Sequence, residues 1–399
     1  MSQSPIEHIQ RWQQEFTAVR RDLHAHPELG FEEHRTAAAV AGYLTAMGIE
    51  HHPGIGRTGI VAVIPGASTA SGRGVGLRAD MDALPLQEEN AFAHKSVYDG
   101  RMHACGHDGH TTMLLAAARY LHETRRFDGT AYLIFQPGEE GYAGGKAMID
   151  DGLFERFPSD QVYALHNWPG LPAGTIAVRP GPMMAAADRV EIHIAGRGGH
   201  GAHPDLTIDP VLVAAHIIVA AQSIVSRNVD PVDTAVVSLC SMQAGHPGAM
   251  SVVPREAHLV GTVRTFRAAT QDMIEKRLTD LAHSIAAAYG AAARVDYQRV
   301  YPATINTEAE AIFAADVAAS LVGEANVVRD LKPSMGSEDF SFMLQQRPGA
   351  YARLGQGGDG IGHGCFLHNS GYDFNDGVIS VGAGYLSALA ERAMPLDPR

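Results

Sequence analysis

Cysteine is scarce in this chain: Cys105, Cys240 and Cys365 are the only three among 399 residues, and they stand far apart. An odd, scattered set reads against a disulfide scaffold and fits a reducing cytoplasm. Basic residues are also in short supply. Lys and Arg number 31 against 44 Asp and Glu, a net charge of −13. A general nucleic-acid partner needs a basic face to neutralise phosphates, so that class is not expected. A locally positive pocket for a small anion stays possible. No unbroken run of about 18 apolar residues occurs, so no membrane-spanning helix is expected. The opening MSQSPIEHIQRWQQEF has no basic stretch followed by an apolar core, so it does not read as a signal peptide. Several catalytic signatures are missing too: G-x-S-x-G, the phosphate loop G-x-x-x-x-G-K-[ST], and H-E-x-x-H. The glycine run from Ala195 to Gly201 lacks G-x-G-x-x-G spacing. It also leaves an alternating strand, so it does not read as a dinucleotide site.

What is present is an ordinary globular composition, 45% hydrophobic and 19% charged. The length fits two or three domains, or one large domain with an insert. Ser4-Pro5-Ile6-Glu7 reads as a capped helix start, followed by Ile9, Trp12, Phe16, Val19 and Leu23 at helical spacing. A second helix is expected from Glu33 to Met47. Helix and strand patterns then alternate: strands at 60–64, 75–77, 130–135 and 162–165, and a helix at 111–121. That order predicts an α/β sheet covered on both faces. From about residue 185 the pattern changes. Val190, Ile192 and Ile194 alternate with Glu191 and His193, as in a half-solvated antiparallel strand. Helices at 210–226 and 271–289 and strands at 235–239, 259–266 and 293–299 complete a β-α-β-β-α-β order, the ferredoxin-like split arrangement. Helices are again expected near 307–321, 338–345 and 376–393. The division expected is a discontinuous α/β catalytic domain, 1–184 and 304–399, with an inserted α+β lid, 185–303.

Histidine is abundant, with 21 residues, and several fall in polar clusters. These are Asp80-Met81-Asp82, His103-Ala104-Cys105-Gly106-His107-Asp108, Glu139-Glu140, His166-Asn167 and His368-Asn369. Taken singly, each has an ordinary reading: acidic pairs open helices, and loop histidines bond to backbone. Three of them, however, directly follow apolar strands. Ligand sites in open α/β sheets lie outside the carboxyl ends of strands, so separate segments deliver Asp, Glu and His to one edge. Thiolate, imidazole and carboxylate together suit Zn²⁺, Mn²⁺, Co²⁺ or Ni²⁺, and not Mg²⁺ or Ca²⁺. Cys105-Gly106-His107 is read as an extended stretch with alternate side chains on one side. Two adjacent glutamates can divide labour, one binding metal and the other moving a proton. A rival chemistry uses Cys105 as nucleophile with a histidine base.

Longer segments carry a resemblance. RRDLHAHPELGFEE (20–33), LRADMDALPLQE (77–88), MHACGHDGHTTMLL (102–115), FQPGEEGYAGGKAMIDDGLF (135–154) and ALHNWPGLPAG (164–174) are similar to the M20 metallopeptidase family, in its amidohydrolase branch. GGHGAHPDLTIDP (198–210), VVPREAHLVGTVRTF (252–266), MGSEDFSFML (335–344) and LHNSGYDFND (367–376) extend the likeness over nearly the whole chain. That branch holds hippurate hydrolases, N-acyl-amino-acid amidohydrolases and plant hydrolases of indoleacetic-acid conjugates. The resemblance implies a metal-binding α/β domain, a lid that mediates dimerisation, and two divalent ions. It implies Cys105, His107, Glu140, His166 and His368 as ligands, and Glu139 as general base and later proton donor. Asp82 would hold a ligand or the base in orientation, and His200 would stabilise the oxyanion. Arg264 is the candidate partner of the substrate carboxylate. One departure stands out: the usual A-A-x-P-H of the lid reads Gly201-Ala202-His203-Pro204-Asp205 here, which can alter pocket shape and charge.

The function expected is hydrolysis of N-acyl amino acids, hippurate-like, by a cytoplasmic homodimer or higher homo-oligomer with no nucleic-acid or membrane partner. The alternatives are a metallo-exopeptidase or deacylase of the same fold acting on a dipeptide or a biosynthetic N-acyl intermediate, the Cys105 amidohydrolase, and a non-catalytic metal-binding module.

Overall fold

The structure is a computed structural model and describes residues 3–357 and 365–397. The chain divides into two compact units, each with its own apolar core. The first comprises Met1–Met183, Ile305–Lys332 and Asp339–Arg399, and the second Met184–Thr304 and Pro333–Glu338. Residues 333–338, which the sequence reading leaves in the catalytic part, group with the second unit. Backbone bonds explain this: the Ala185 amide donates to the Ser334 and Gly336 carbonyls at 3.1 and 2.8 Å.

The first unit is built on an eight-stranded sheet. Four neighbouring strands at its centre, Thr130–Gln136, Gly74–Asp80, Gln161–Trp168 and Gly349–Gly355, run parallel. Gly74–Asp80 and Gly349–Gly355 are buried along their whole length, as strands covered on both faces must be. The helix His107–Thr124 is buried over most of its length and packs against Ile379–Ala393. This α/β sheet is the one the alternating pattern foretells.

Two local features depart from that pattern. The first helix is broken into Pro5–Gln10 and Gln13–Ala25. Its start carries the expected capping box, Ser4 and Glu7 bonding reciprocally at 3.1 and 3.2 Å. The break falls at Trp12, whose ring meets His8 edge-on at 5.0 Å and lies under the Arg119 guanidinium at 4.1 Å. The strand Glu50–Ile55 is absent from the sequence reading because its residues are polar and include Pro53. It lies at the sheet edge, where a missing N–H is tolerated.

The second unit has a four-stranded antiparallel sheet in the order Ala235–Ala244, Glu256–Thr265, Ala186–Ala195, Ala292–Tyr301. The helices Pro210–Asn228 and Ala268–Ala288 share its core. Along the chain this is the β-α-β-β-α-β order. By length and composition Pro210–Asn228 could cross a membrane. His216 and Gln222 interrupt the apolar run in the sequence without lowering its average enough to prevent this. Val213, Ala214, Ile217, Ala221 and Ile224 form a stripe buried in the unit's core, the pattern of an amphipathic core helix. Leu212 and Val219 stay exposed.

Candidate metal centre

The parallel strands of the first unit end at one edge, and the polar clusters are found there. Gly74–Asp80 leads into Asp82, and Thr130–Gln136 leads into Glu139 and Glu140. Gln161–Trp168 carries His166 and Asn167 within the strand itself, which runs three residues past its expected end. Cys105-Gly106-His107 is not the extended stretch expected from the sequence. Gly106 has φ 92° and caps the helix that begins at His107. A side chain is excluded there, because an added Cβ would lie 2.3 Å from Asn167 Oδ1 and 2.7 Å from the Tyr372 hydroxyl. The tight left-handed turn at Gly106 thus brings Cys105 and His107 to the same edge.

Overlapping donor sets result, each with its atoms within 4.8 Å of one another, among them Cys105, His107 and His166; Cys105, Glu140 and His368; His107, Glu139 and Glu140; and Asp80, His107 and His110. His166 Nε2 stands 3.5 Å from Cys105 Sγ, and His368 Nε2 stands 3.1 Å from Glu140 Oε1. His368 adopts φ 63°, and its amide donates to the Ala104 carbonyl at 2.7 Å. Ring tautomers follow from the partners. His166 Nδ1 donates to the Asn167 carbonyl at 2.6 Å. His107 Nδ1 donates to Asp82 Oδ1 at 3.2 Å. The neutral His166 ring therefore keeps its lone pair on Nε2, and His107 would present its own once its Nε2 proton gives way to an ion. Among the described residues, His107 Nε2 is buried and makes no hydrogen bond, while Glu140 Oε1 has only the His368 ring beside it. Buried polar atoms short of partners are costly, and a divalent ion would satisfy them.

The electrostatics agree. Burial pushes the Cys105 thiol well up, and Glu140, Glu139 and Asp80 push it further. A nearby cation inverts that balance and makes the thiolate a ligand. Burial holds His166 well below its usual range, with His110 adding to the effect, so the ring is neutral and free to bind. Burial also opposes the charged His107 ring, but Asp80, Asp82 and Glu140 raise it to about 10. Protons or metal ions are what this carboxylate-rich pocket draws in. Thiol, imidazole and carboxylate donors of this kind fit a borderline transition ion.

A supporting layer surrounds the donors. Asp82 holds two segments at once, since its Oδ2 accepts from the Glu140 amide at 2.9 Å. His110 was not singled out from the sequence. It is tied at both nitrogens, to Asp80 Oδ1 and Asn167 Oδ1, each at 2.6 Å. Asn167 Nδ2 donates in turn to the Tyr372 hydroxyl at 2.7 Å and to Gln356 Oε1 at 2.8 Å. His110 follows His107 by three residues on the same helix, which was the one available signal. Nothing in the sequence pattern linked Tyr372 or Gln356 to the site. Arg78 and Asp339 brace the same edge, with Arg78 Nη2 donating to Asp339 Oδ1 at 3.0 Å.

The two remaining candidates belong to the second unit. His200 is exposed on a short strand, Gly199–His200, paired with Val252–Val253. Its Nδ1 accepts from the Ala202 amide at 3.0 Å, so in the neutral ring Nε2 carries the proton. Arg264 is half-buried and donates to Ser337 Oγ at 3.0 Å.

Residues 76–392 match the peptidase family M20/M25/M40. The chain belongs to that family. Among family relatives it is similar to hippurate hydrolase of Campylobacter jejuni, with 44% identity over 95% of this chain and 96% of the relative. It is also similar to an IAA-amino acid hydrolase of Arabidopsis thaliana, with 37% identity over 94% of this chain and 84% of the relative. Among solved family structures, a Bacillus subtilis protein described as a dinuclear metal binding peptidase superposes with a TM-score of 0.83. It shares 33% identity over 96% of this chain and 99% of its own.

Proposed function

We propose that this chain hydrolyses the amide bond of N-acyl amino acids of the hippurate type, giving a carboxylate and a free amino acid. The observation that carries the reading is the buried donor cluster, in which Nε2 lone pairs are set beside a pair of adjacent glutamates. The likeness to a hippurate hydrolase and to an IAA-amino acid hydrolase supports the substrate class. The likeness to a dinuclear metal binding peptidase supports two ions. We assign Cys105, His107, Glu140, His166 and His368 to holding two divalent ions, drawn from Mn²⁺, Zn²⁺, Co²⁺ or Ni²⁺. Such ions lower the pKa of water and withdraw charge from an amide carbonyl.

The protein's own groups do the rest. Glu139 takes the proton of the attacking water and returns it to the leaving nitrogen. Asp82 fixes the His107 ring and the Glu140 backbone, and support of that kind is worth about 10–100-fold in metal affinity or activity. His200 would donate a hydrogen bond from its Nε2–H to the carbonyl oxygen as charge develops there. Arg264 pairs with the substrate carboxylate. The Cys105 nucleophile reading is weaker, because burial and three carboxylates hold the thiol protonated and a thiol attacks as thiolate. The second unit acts as lid and as the homodimer contact, for which the exposed Leu212 and Val219 are the physical support. The few, scattered cysteines support a cytoplasmic setting.

The test is a panel of benzoyl-glycine, N-acetyl amino acids and unblocked dipeptides offered to the purified, metal-loaded protein. Turnover of the acylated substrates is expected. Turnover of dipeptides alone would transfer the site to an exopeptidase, and no turnover on any member would refute amide hydrolysis.

A further inference from the structure

We propose a second kind of metal site, separate from the catalytic cluster, on the open face of the four-stranded sheet in the second unit. Its donors are Glu191, His193 and His258, and its ligand is a single borderline transition ion such as Zn²⁺, Ni²⁺ or Cu²⁺.

The pleat brings the three side chains together. Along Ala186–Ala195, Val190, Ile192 and Ile194 are buried, while Glu191 and His193 point to the other face. His258 is directly opposite His193 on the neighbouring strand. Residues two apart on one strand and directly opposite on the next share a face at close range. The two imidazoles stack with centroids 4.2 Å apart and planes 12° from parallel. Both Nε2 atoms lie near the same oxygen, Glu191 Oε2 being 3.1 Å from His258 Nε2 and 3.7 Å from His193 Nε2, and the rings would turn out of the stack to aim their in-plane lone pairs at one ion. All three donor atoms lie within 4.8 Å of one another.

Those distances suit a tetrahedral ion. With bonds of roughly 2.0–2.2 Å, neighbouring ligand atoms stand about 3.3 Å apart, a value the two observed spacings bracket. The other carboxylate oxygen is held away from the donors, because Oε1 takes the Arg189 guanidinium at 2.6 Å. Arg189 thereby fixes the carboxylate so that Oε2 faces the rings, as supporting hydrogen bonds do around metal ligands. The histidines line an open depression of ≈ 640 Å³, which leaves room for water at the remaining coordination position. Other groups on this face are Arg294 opposite His193, Asp296 opposite Glu191 and Gln243 opposite His258. Two imidazoles with one carboxylate select against Mg²⁺ and Ca²⁺. Bound there, an ion would clip the two central strands of the sheet to each other.

Zinc counting tests this without reference to turnover, so it stands or falls apart from the hydrolase reading. The full-length protein and its His193→Gln/His258→Gln variant are stripped, dialysed against the same free Zn²⁺ concentration and analysed for bound zinc per chain. The double variant is expected to hold one equivalent fewer, with benzoyl-glycine hydrolysis unchanged, since neither residue belongs to the catalytic cluster. Equal zinc in both proteins would overturn the proposal. Should the double variant fold poorly by circular dichroism, Glu191→Gln replaces it. That change is nearly isosteric and keeps both rings, and loss of the same equivalent is expected. Full zinc retention in Glu191→Gln would equally overturn the site.

Discussion

Replacing Glu139 by glutamine is expected to lower kcat for benzoyl-glycine by about 10²–10⁴-fold, the usual worth of a positioned general base. Bound metal should be unchanged. The substitution keeps shape and removes only the ionisable oxygen. The loop that presents Glu139 is held independently of its side chain: the Gly138 amide donates to Glu33 Oε1 at 2.8 Å, and the Glu140 amide donates to Asp82 Oδ2 at 2.9 Å. A collapse of the site is therefore not expected. The pairing of readouts separates the two glutamates. Glu139 also falls within a donor set with His107 and Glu140, so loss of an equivalent of metal along with the rate would make it a ligand. Near-normal turnover with full metal would remove it from the proton path.

Replacing His200 by alanine is expected to cost about 10²–10³ in kcat, the penalty for losing one oxyanion donor, with metal content intact. The backbone of the second unit prepares this residue for donation. Because the Ala202 amide already occupies Nδ1, the neutral ring has its N–H on Nε2. An effect confined to KM would instead describe a substrate contact made equally in the ground state. Unchanged kcat and KM would discard the assignment.

The candidate centre was legible in the sequence for a physical reason. Polar residues placed immediately after apolar strands have to emerge at the carboxyl edge of a parallel sheet, so Asp82, Glu139, Glu140 and His166 announced themselves. The donor set beyond that rested on the likeness to a family. What could not be read was how the segments lock. Cys-Gly-His reads as extended, yet Gly106 takes a left-handed φ, and Asn167 and Tyr372 leave no room there for a side chain. Asn167 and Tyr372 are 205 residues apart along the chain, and no local pattern encodes that contact. His110 was overlooked because a histidine at helical spacing reads as helix before it reads as a brace between Asp80 and Asn167. The edge strand at Glu50–Ile55 was missed because its residues lack apolar alternation, and an edge position does not require it. The expected division of the chain rests on the change in hydrophobic pattern near residue 185. Residues 333–338 return to the second unit through backbone bonds to Ala185, which composition does not reveal.

The central claim is that amide hydrolysis here depends on divalent ions held by Cys105, His107, Glu140, His166 and His368. Its most direct test is benzoyl-glycine hydrolysis measured before chelation, after chelation, and after adding back Mn²⁺, Zn²⁺, Co²⁺ or Ni²⁺ one at a time. Activity is expected to vanish with the metal and to return with at least one of the four ions. Activity that survives complete metal removal would contradict the claim and pass the chemistry to the Cys105 thiol.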